Sequence, residues 1–416
     1  MSYNPNAVIE LGDTHSRDSF GRMRVSTPLG LFDSQFTYDL QPLLFDQVIS
    51  GTNITIAHDS TNRNALLTFA ATPTGGKAIM QSFAFHRYQP GKAMAINISF
   101  NFIASVASTL KFVGYSDGIN GIEFQNDGTN NQFVIYSGTT NGNQTTTQAN
   151  WNLDKLNGTG PSGLTLDITK AQILVMDFQA LYTGRVRVGF DIGGSVIYVH
   201  QFNHSNLIIH PYIQSANLPV RAGMTCTGTV STTMKFTCCT VISEGGEEHP
   251  GAYEYSQTVF GASTGASTNT DAHIMSIRPR ATFNNIVNRT QVAMLEVNII
   301  ATSTGNVTWT LCVGQAITGT TTFNNVNATY SGVEYNTAGT ISGSPTIKID
   351  SGFLSSSNQS KGSSQMNFTN RYPITLDSGI ISGTPAARAN GTVSLIAQSD
   401  TANTSLNVSM KWVEIR

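Results

Sequence analysis

The clearest signal along the chain is an alternation of apolar and polar positions with a period of two. In Arg185-Val-Arg-Val-Gly-Phe-Asp-Ile192, the residues Val186, Val188, Phe190 and Ile192 fall on one face and Arg185, Arg187 and Asp191 on the other. That pattern is the mark of a half-buried strand. Gly193-Gly194-Ser195 follows and the alternation resumes from Val196 to Phe202, so the segment predicts a β-hairpin whose turn uses the φ freedom of glycine. A second hairpin is predicted from Gly121 to Phe124, through the turn-forming run Asn126 to Asn131, to Phe133 to Tyr136. Further strands are predicted from Met94 to Ile103, Leu110 to Tyr115, Ile173 to Phe178, Val292 to Ala301 and Val307 to Val313, all rich in β-branched and aromatic residues. At the C-terminus Leu406, Val408, Met410 and Trp412 share one face, which predicts a final strand paired into a sheet. Helical periodicity nowhere exceeds two or three turns; Asp154 to Leu156 and Asn284 to Asn288 are the best candidates for short helices.

Many short strands separated by Gly, Asn and Ser turns imply an all-β protein built of β-sandwich domains, jelly-roll or lectin-like. Two shifts in pattern divide it. Residues 1–50 carry a polar start, the cluster Arg17, Arg22 and Arg24, and then Leu29, Leu31, Phe32, Phe36, Tyr38, Leu43, Leu44 and Phe45 without sustained alternation. This reads as an extended N-terminal arm that orders by burying its hydrophobics on another surface. The Gly, Pro and acid run from Glu244 to Tyr253 reads as a linker. The expected plan is therefore a docking arm over 1–50, one sandwich over 51–245 and a second over 246–416. The Ser-, Gly- and Thr-rich stretch from Ala338 to Lys361 is expected to be a long loop of the second sandwich.

Composition changes the picture chiefly by exclusion. Only 12% of the 416 residues are charged, about half the roughly 25% usual in soluble domains, so neutral polar groups must wet the surface. Lys and Arg number 23 against 25 Asp and Glu, a net charge of -2. That balance gives no electrostatic case for a nucleic-acid or acidic-membrane partner. No apolar run approaches the roughly 18–20 residues of a membrane span, and the N-terminus shows no secretory leader pattern. Cys226, Cys238, Cys239 and Cys312 lack zinc-type pairing and read as packed thiols of a protein assembled in a reducing cytoplasm.

The chemical motifs weaken on inspection. Gly158-Thr-Gly-Pro-Ser-Gly163 matches G-x-G-x-x-G, but a strand follows it and Pro161 interrupts it, so no dinucleotide site is expected. Gly75-Gly76-Lys77 is followed by Ala78 and lacks the hydroxyl a phosphate loop needs for magnesium. Glu244, Glu247, Glu248, His249 and Glu254 crowd a Gly-Pro linker that would hold them poorly. His200, His204 and His210 leave a strand for a loop and read as structural or surface residues. The Asp117 to Gly121 and Asn126 to Asn131 runs read as Asx turns rather than calcium loops. No catalytic, cofactor or metal residue is assigned, and enzymatic activity is not expected.

Asp18-Ser-Phe-Gly-Arg-Met-Arg-Val-Ser-Thr-Pro28, continuing to Leu31-Phe-Asp-Ser-Gln35, closely resembles the opening of a family of virion structural proteins of tailed bacteriophages. Similar stretches are Tyr88 to Lys92, Trp151 to Gly163, Gly184 to Phe190, Asn217 to Arg221 and Ser243 to Gly246, with vaguer likeness at Ile277 to Pro279 and Val287 to Arg289. The resemblance implies a component exposed on the particle: a capsid decoration protein, fibre or tail-associated spike, assembled in the host cytoplasm. Capsid or tail subunits and further copies of the chain, as a trimer or another multimer, would be its partners. Within the arm, Arg17, Phe20, Arg22, Arg24, Leu31 and Phe32 are the expected partner-docking residues, the arginines pairing with carboxylates or carbonyls of a neighbour. An alternative is a lectin-like module reading host glycans through the Asn126 to Asn131 and Asn141 to Asn150 loops. A surface-glycan hydrolase ranks behind both, because it needs two acids roughly 5–10 Å apart in one groove.

Overall fold

The computed structural model describes residues 17–21, 23, 28–179, 181–246, 252–343, 347–356, 363–367, 373–374 and 391–415. The chain divides into two compact units, with the changeover between Glu248 and His249; Phe83–Phe85 belong to the second unit and the rest of 1–248 to the first. Every strand pairing is antiparallel, and one 3₁₀ turn, Gln148–Asn150, is the sole helical element among the described residues. Neither predicted helix forms: Asp154 to Leu156 is irregular, and Asn284 and Asn285 are a turn between two short strands. No described helix is long and apolar enough to cross a membrane.

The first unit holds β1 (Leu29–Gln35), β2 (Phe45–Ser50), β3 (Ile54–Asp59), β4 (Asn64–Thr72) and β5 (Lys77–Ser82). Next come β6 (Ala93–Asn101), β7 (Thr109–Ser116), β8 (Gly121–Asn126), β9 (Asn131–Tyr136) and β10 (Gln144–Thr147). It ends with β11 (Gln172–Gln179), β12 (Val186–Ile192), β13 (Ser195–Phe202), β14 (Val220–Cys226) and β15 (Val230–Ser243). One sheet runs β13-β12-β11-β6-β15-β4-β3 with β1 added beside β15, and the other runs β10-β9-β8-β7-β14-β5-β2. Alternation sends Ile96, Ile98, Phe100, Met176, Val188 and Phe190 inward from the first sheet. Val113, Tyr115, Phe124, Phe133, Ala222 and Met224 meet them from the second, giving a jelly-roll-like sandwich with one continuous core. Lys111 is buried in it, donating to the carbonyls of Phe102, Ala104 and Thr233 at 2.6, 2.9 and 2.9 Å, and burial pulls its ammonium down to about 8.

The expected arm needs correction. Residues 29–50 are part of this sandwich: β1 pairs with β15 and β2 with β5. Leu31 and Phe32 pack on the unit's own core, Phe32 lying 4.6 Å from the His86 ring, while Phe36 and Phe45 are buried. The alternation was hidden because the β1 register slips between Gly30 and Phe32 and because Phe36 lies just beyond the strand.

The second unit contains β16 (Ala252–Ser263), β17 (Ala272–Pro279), β18 (Thr282–Phe283), β19 (Ile286–Val287) and β20 (Gln291–Ala301). It continues with β21 (Gly305–Val313), β22 (Ile317–Gly319), β23 (Asn324–Asn325), β24 (Val333–Asn336) and β25 (Gly339–Ile341). The last strands are β26 (Ile347–Ser356), β27 (Ser363–Asn367), β28 (Pro373–Ile374), β29 (Val393–Ser399) and β30 (Ser405–Ile415). Its sheets are β16-β30-β20-β27, with β28 beside β20, and β23-β24-β17-β29-β21-β26. Their core centres on Met294, Trp309, Leu311, Leu395, Met410 and Trp412. Where it is described, the long loop expected from Ala338 to Lys361 is instead largely strand, in β25 and β26. Gly352 of β26 leaves room for the Trp309 indole, since a Cβ there would sit 2.5 Å from that ring.

Candidate functional site on the outer face of the first sheet

The outer face of the β13-β12-β11-β6-β15 sheet is polar and has two ends. At one end Asp177 of β11 and Arg187 of β12 stand opposite each other, and both side chains are wholly buried. The guanidinium donates from Nε and Nη2 to the two carboxylate oxygens at 2.9 and 2.7 Å, and the Tyr198 hydroxyl donates to Oδ2 at 2.5 Å. Residues 17–21 close over the pair as a tight turn, with Asp18 Oδ1 accepting the Phe20 N–H at 2.9 Å. Ser19 Oγ donates to Asp177 Oδ1 at 2.5 Å, Arg187 Nη2 donates to the Arg17 carbonyl at 2.6 Å, and Arg185 and Gln179 donate to the Ser19 carbonyl. Removing two charges from water costs several kcal/mol per ion unless their hydrogen bonds are saturated; this turn supplies the missing partners.

The turn contains two of the expected docking residues. Arg17 enters the cluster through its backbone carbonyl and Phe20 is half-buried at the turn, both on their own unit. Arg22 and Arg24 lie outside the described residues. Residues 18–21 thus sit on 184–190. Gln89 donates to Ser243 Oγ and to the Gly246 carbonyl, each at 3.2 Å, and Asn217 Oδ1 accepts the Tyr88 N–H at 2.9 Å. Their described contacts hold the fold together.

The other end of the same face is open. Strand register sets Asp33, Thr240 and Asn97 in one transverse row and Gln35, Cys238, Ser99 and Ile173 in the next. These rows line a groove with a cavity volume of about 390 Å³. Thr240 Oγ1 donates to the Phe32 carbonyl at 3.1 Å. Among the described residues, the Asp33, Gln35 and Asn97 side chains form no hydrogen bond or ion pair. Ile173, 43% exposed, adds an apolar contact, and burial pushes the Cys238 thiol up, keeping it protonated. Asp33 is the one carboxylate in the lining. Two amides, a carboxylate and hydroxyls give mixed donors and acceptors, which match a ligand whose groups both donate and accept.

The remaining sequence candidates are dispersed. The Asp117 and Asp127 carboxylates each accept two backbone N–H groups of their own turns. Asp154 accepts the N–H of Leu156 and Ser162 at 2.8 and 2.7 Å, so the glycine-rich 158–163 run folds as a clasp around it. His200 accepts the Asn152 N–H, His204 stacks 4.2 Å from the Tyr212 ring, and His210 is exposed. Glu254 pairs with Lys411 at 2.6 Å; Glu247, Glu248 and His249 lie outside the described residues. No group of three His, Cys, Asp or Glu among the described residues could hold a metal.

Sequence reasoning missed a buried network on the outer face of the second sheet. Gln125 donates to Glu123 Oε2 at 2.8 Å, Arg221 lies 3.5 Å from Glu123 Oε1, and Arg221 stacks 4.8 Å over Phe112. The alternation at Gly121 to Gln125 marks this polar face but not its burial. Asp46 shares the transverse row of Glu123, four strands away. At about 4.8 Å per strand the two acids are roughly 19 Å apart, beyond the spacing of a glycosidase pair.

No protein-family model matches the chain, and no curated protein matches it. Among solved structures it is similar to a glycoside hydrolase family protein from Mycobacterium thermorestibile (TM-score 0.34, 13% identity, 51% of this chain and 99% of that one). It is also similar to the Bacillus licheniformis β-glucanase (0.31, 12%, 53% and 99%) and to a carbohydrate esterase of the Shiga toxin-encoding bacteriophage phi24B (0.32, 11%, 52% and 99%). These neighbours are named as carbohydrate-active enzymes, so the expectation of a non-enzymatic protein is not carried forward. At such low similarity they assign neither an activity nor a catalytic residue to this chain.

Proposed function

We propose that the chain is an exposed structural subunit of a tailed-phage virion and that its first unit binds host-surface glycans through the groove over β1, β15, β6 and β11. One observation carries the glycan reading: Asp33, Gln35 and Asn97, whose side chains have no hydrogen-bond partner among the described residues, stand beside Ile173 in an open cavity. Sugar hydroxyls both donate and accept, and their C–H faces suit an aliphatic contact, so a neutral saccharide uses all four. The virion reading is supported by the resemblance over Asp18 to Pro28 and Leu31 to Gln35. Weak single-site affinity is sufficient on a particle, where many copies bind together.

Two experiments test this. Antibody labelling of intact particles should decorate the surface; label that reaches the chain only after particles are disrupted overturns the exposed-subunit reading. A glycan array probed with the purified chain should show binding to host-surface saccharides. A blank array from folded protein overturns the glycan reading.

A further inference from the structure

β16 is the outermost strand of its sheet: β30 pairs with one side and no described strand with the other. An edge like this offers a row of ladder N–H and C=O groups to any passing strand, and proteins blunt it with brevity, charge, proline or cover. The other described strands that end the four large sheets follow that rule. β10 has 4 residues, β23 has 2 and β27 has 5. β2 and β3 are 6 residues long and carry Asp46 and Asp59. The Val199 carbonyl of β13 is taken by the N–H groups of Leu153 and Asp154. β26 carries Lys348 and Asp350.

β16 spans 12 residues, and its one register irregularity, between Val259 and Ala262, leaves the stretch from Ala252 to Val259 without proline or a described covering strand. It contains no proline, lysine or arginine, and its one charge, Glu254, is paired with Lys411 of the adjacent strand. Its register is regular from Ala252 to Val259, and Phe260 beside that run is 78% exposed.

We propose that β16 joins two copies of the chain, edge to edge and antiparallel, about a two-fold axis. Antiparallel pairing is the self-complementary arrangement one strand can make with its own copy. Centred on Ser256, it sets Glu254 opposite Thr258 of the copy, so the single charge never faces its equivalent. The neutral centre Tyr255-Ser256-Gln257 lets the backbones approach to ladder distance. This inference concerns the purified chain and stands apart from the glycan reading.

Sedimentation velocity on the full chain across a concentration series tests it. The wild type should populate a dimer, and a Gln257→Lys variant, which brings two lysines close together across the axis, should raise the dissociation constant by roughly tenfold or more. Mild oxidation should cross-link Ser256→Cys as a covalent dimer and leave Phe353→Cys, on β26, at the wild-type level; this arm does not depend on how the lysine variant folds. A wild type that is monomeric throughout, an assembly unmoved by the lysines, or cross-linking at 353 in place of 256 overturns the proposal.

Discussion

The two ends of the outer face of the first sheet use similar side chains for different purposes. At the sealed end a carboxylate, a guanidinium and a phenol hydrogen-bond to one another and to residues 17–19. In the groove a carboxylate and two amides, a few strands away on the same face, have no such partners among the described residues. Saturation separates the two roles. Polar groups whose bonds are complete hold the fold, and groups whose bonds are open to solvent are available to a ligand.

Breaking the sealed end should have the largest effect. Arg187→Met leaves Asp177 buried and uncompensated, which should destabilise the first unit by about 3–5 kcal/mol in chemical denaturation. Adding Asp177→Asn to that variant should recover part of the loss, because the stranded charge is gone. Acid is the next strongest probe of sealing. Burial lowers His86 to about 3 and His200 to about 4, so the unfolded chain binds protons below pH 6.5 that the folded chain refuses. Stability contributed by the neutral rings is complete above that pH and is lost as pH falls toward 4, on the order of 2 kcal/mol per histidine at pH 5. Flat unfolding free energy between pH 7 and 5 would show that these rings are not sealed.

Ser19→Ala removes one donor from Asp177 and should cost about 1–2 kcal/mol. If it costs nothing, the turn over 17–21 does not seal the pair. The smallest effects belong to the groove: Asp33→Ala and Asn97→Ala break no described bond and should shift stability by less than about 0.5 kcal/mol. A large loss there would make the groove structural and erase the contrast.

The elements were largely legible in the sequence and their partnerships were not. The β12–β13 hairpin followed from strict alternation around Gly193-Gly194, and β30 from Leu406, Val408, Met410 and Trp412. Arg187, however, read as a solvent-facing residue because its burial depends on residues 17–19, some 170 positions away. Asp33 and Gln35 were hidden inside a segment whose alternation is broken by the β1 register slip, so they read as arm. β26 read as loop because the stretch from Ala338 to Lys361 around it is rich in serine, glycine and threonine, and its glycine is required by Trp309 of β21 rather than by a turn. A groove assembled from β1, β15, β6 and β11 has no local signature, since each strand contributes only one to three lining residues.

The central claim is that open hydrogen-bonding groups in the groove bind sugar. Calorimetric titration of the best-bound saccharide into the wild type and the Asp33→Ala/Asn97→Ala variant tests it most directly. The account predicts at least a tenfold loss of affinity, about 1.4 kcal/mol, with unchanged unfolding free energy. Equal affinity in the two proteins would contradict it and place the sugar elsewhere on the chain.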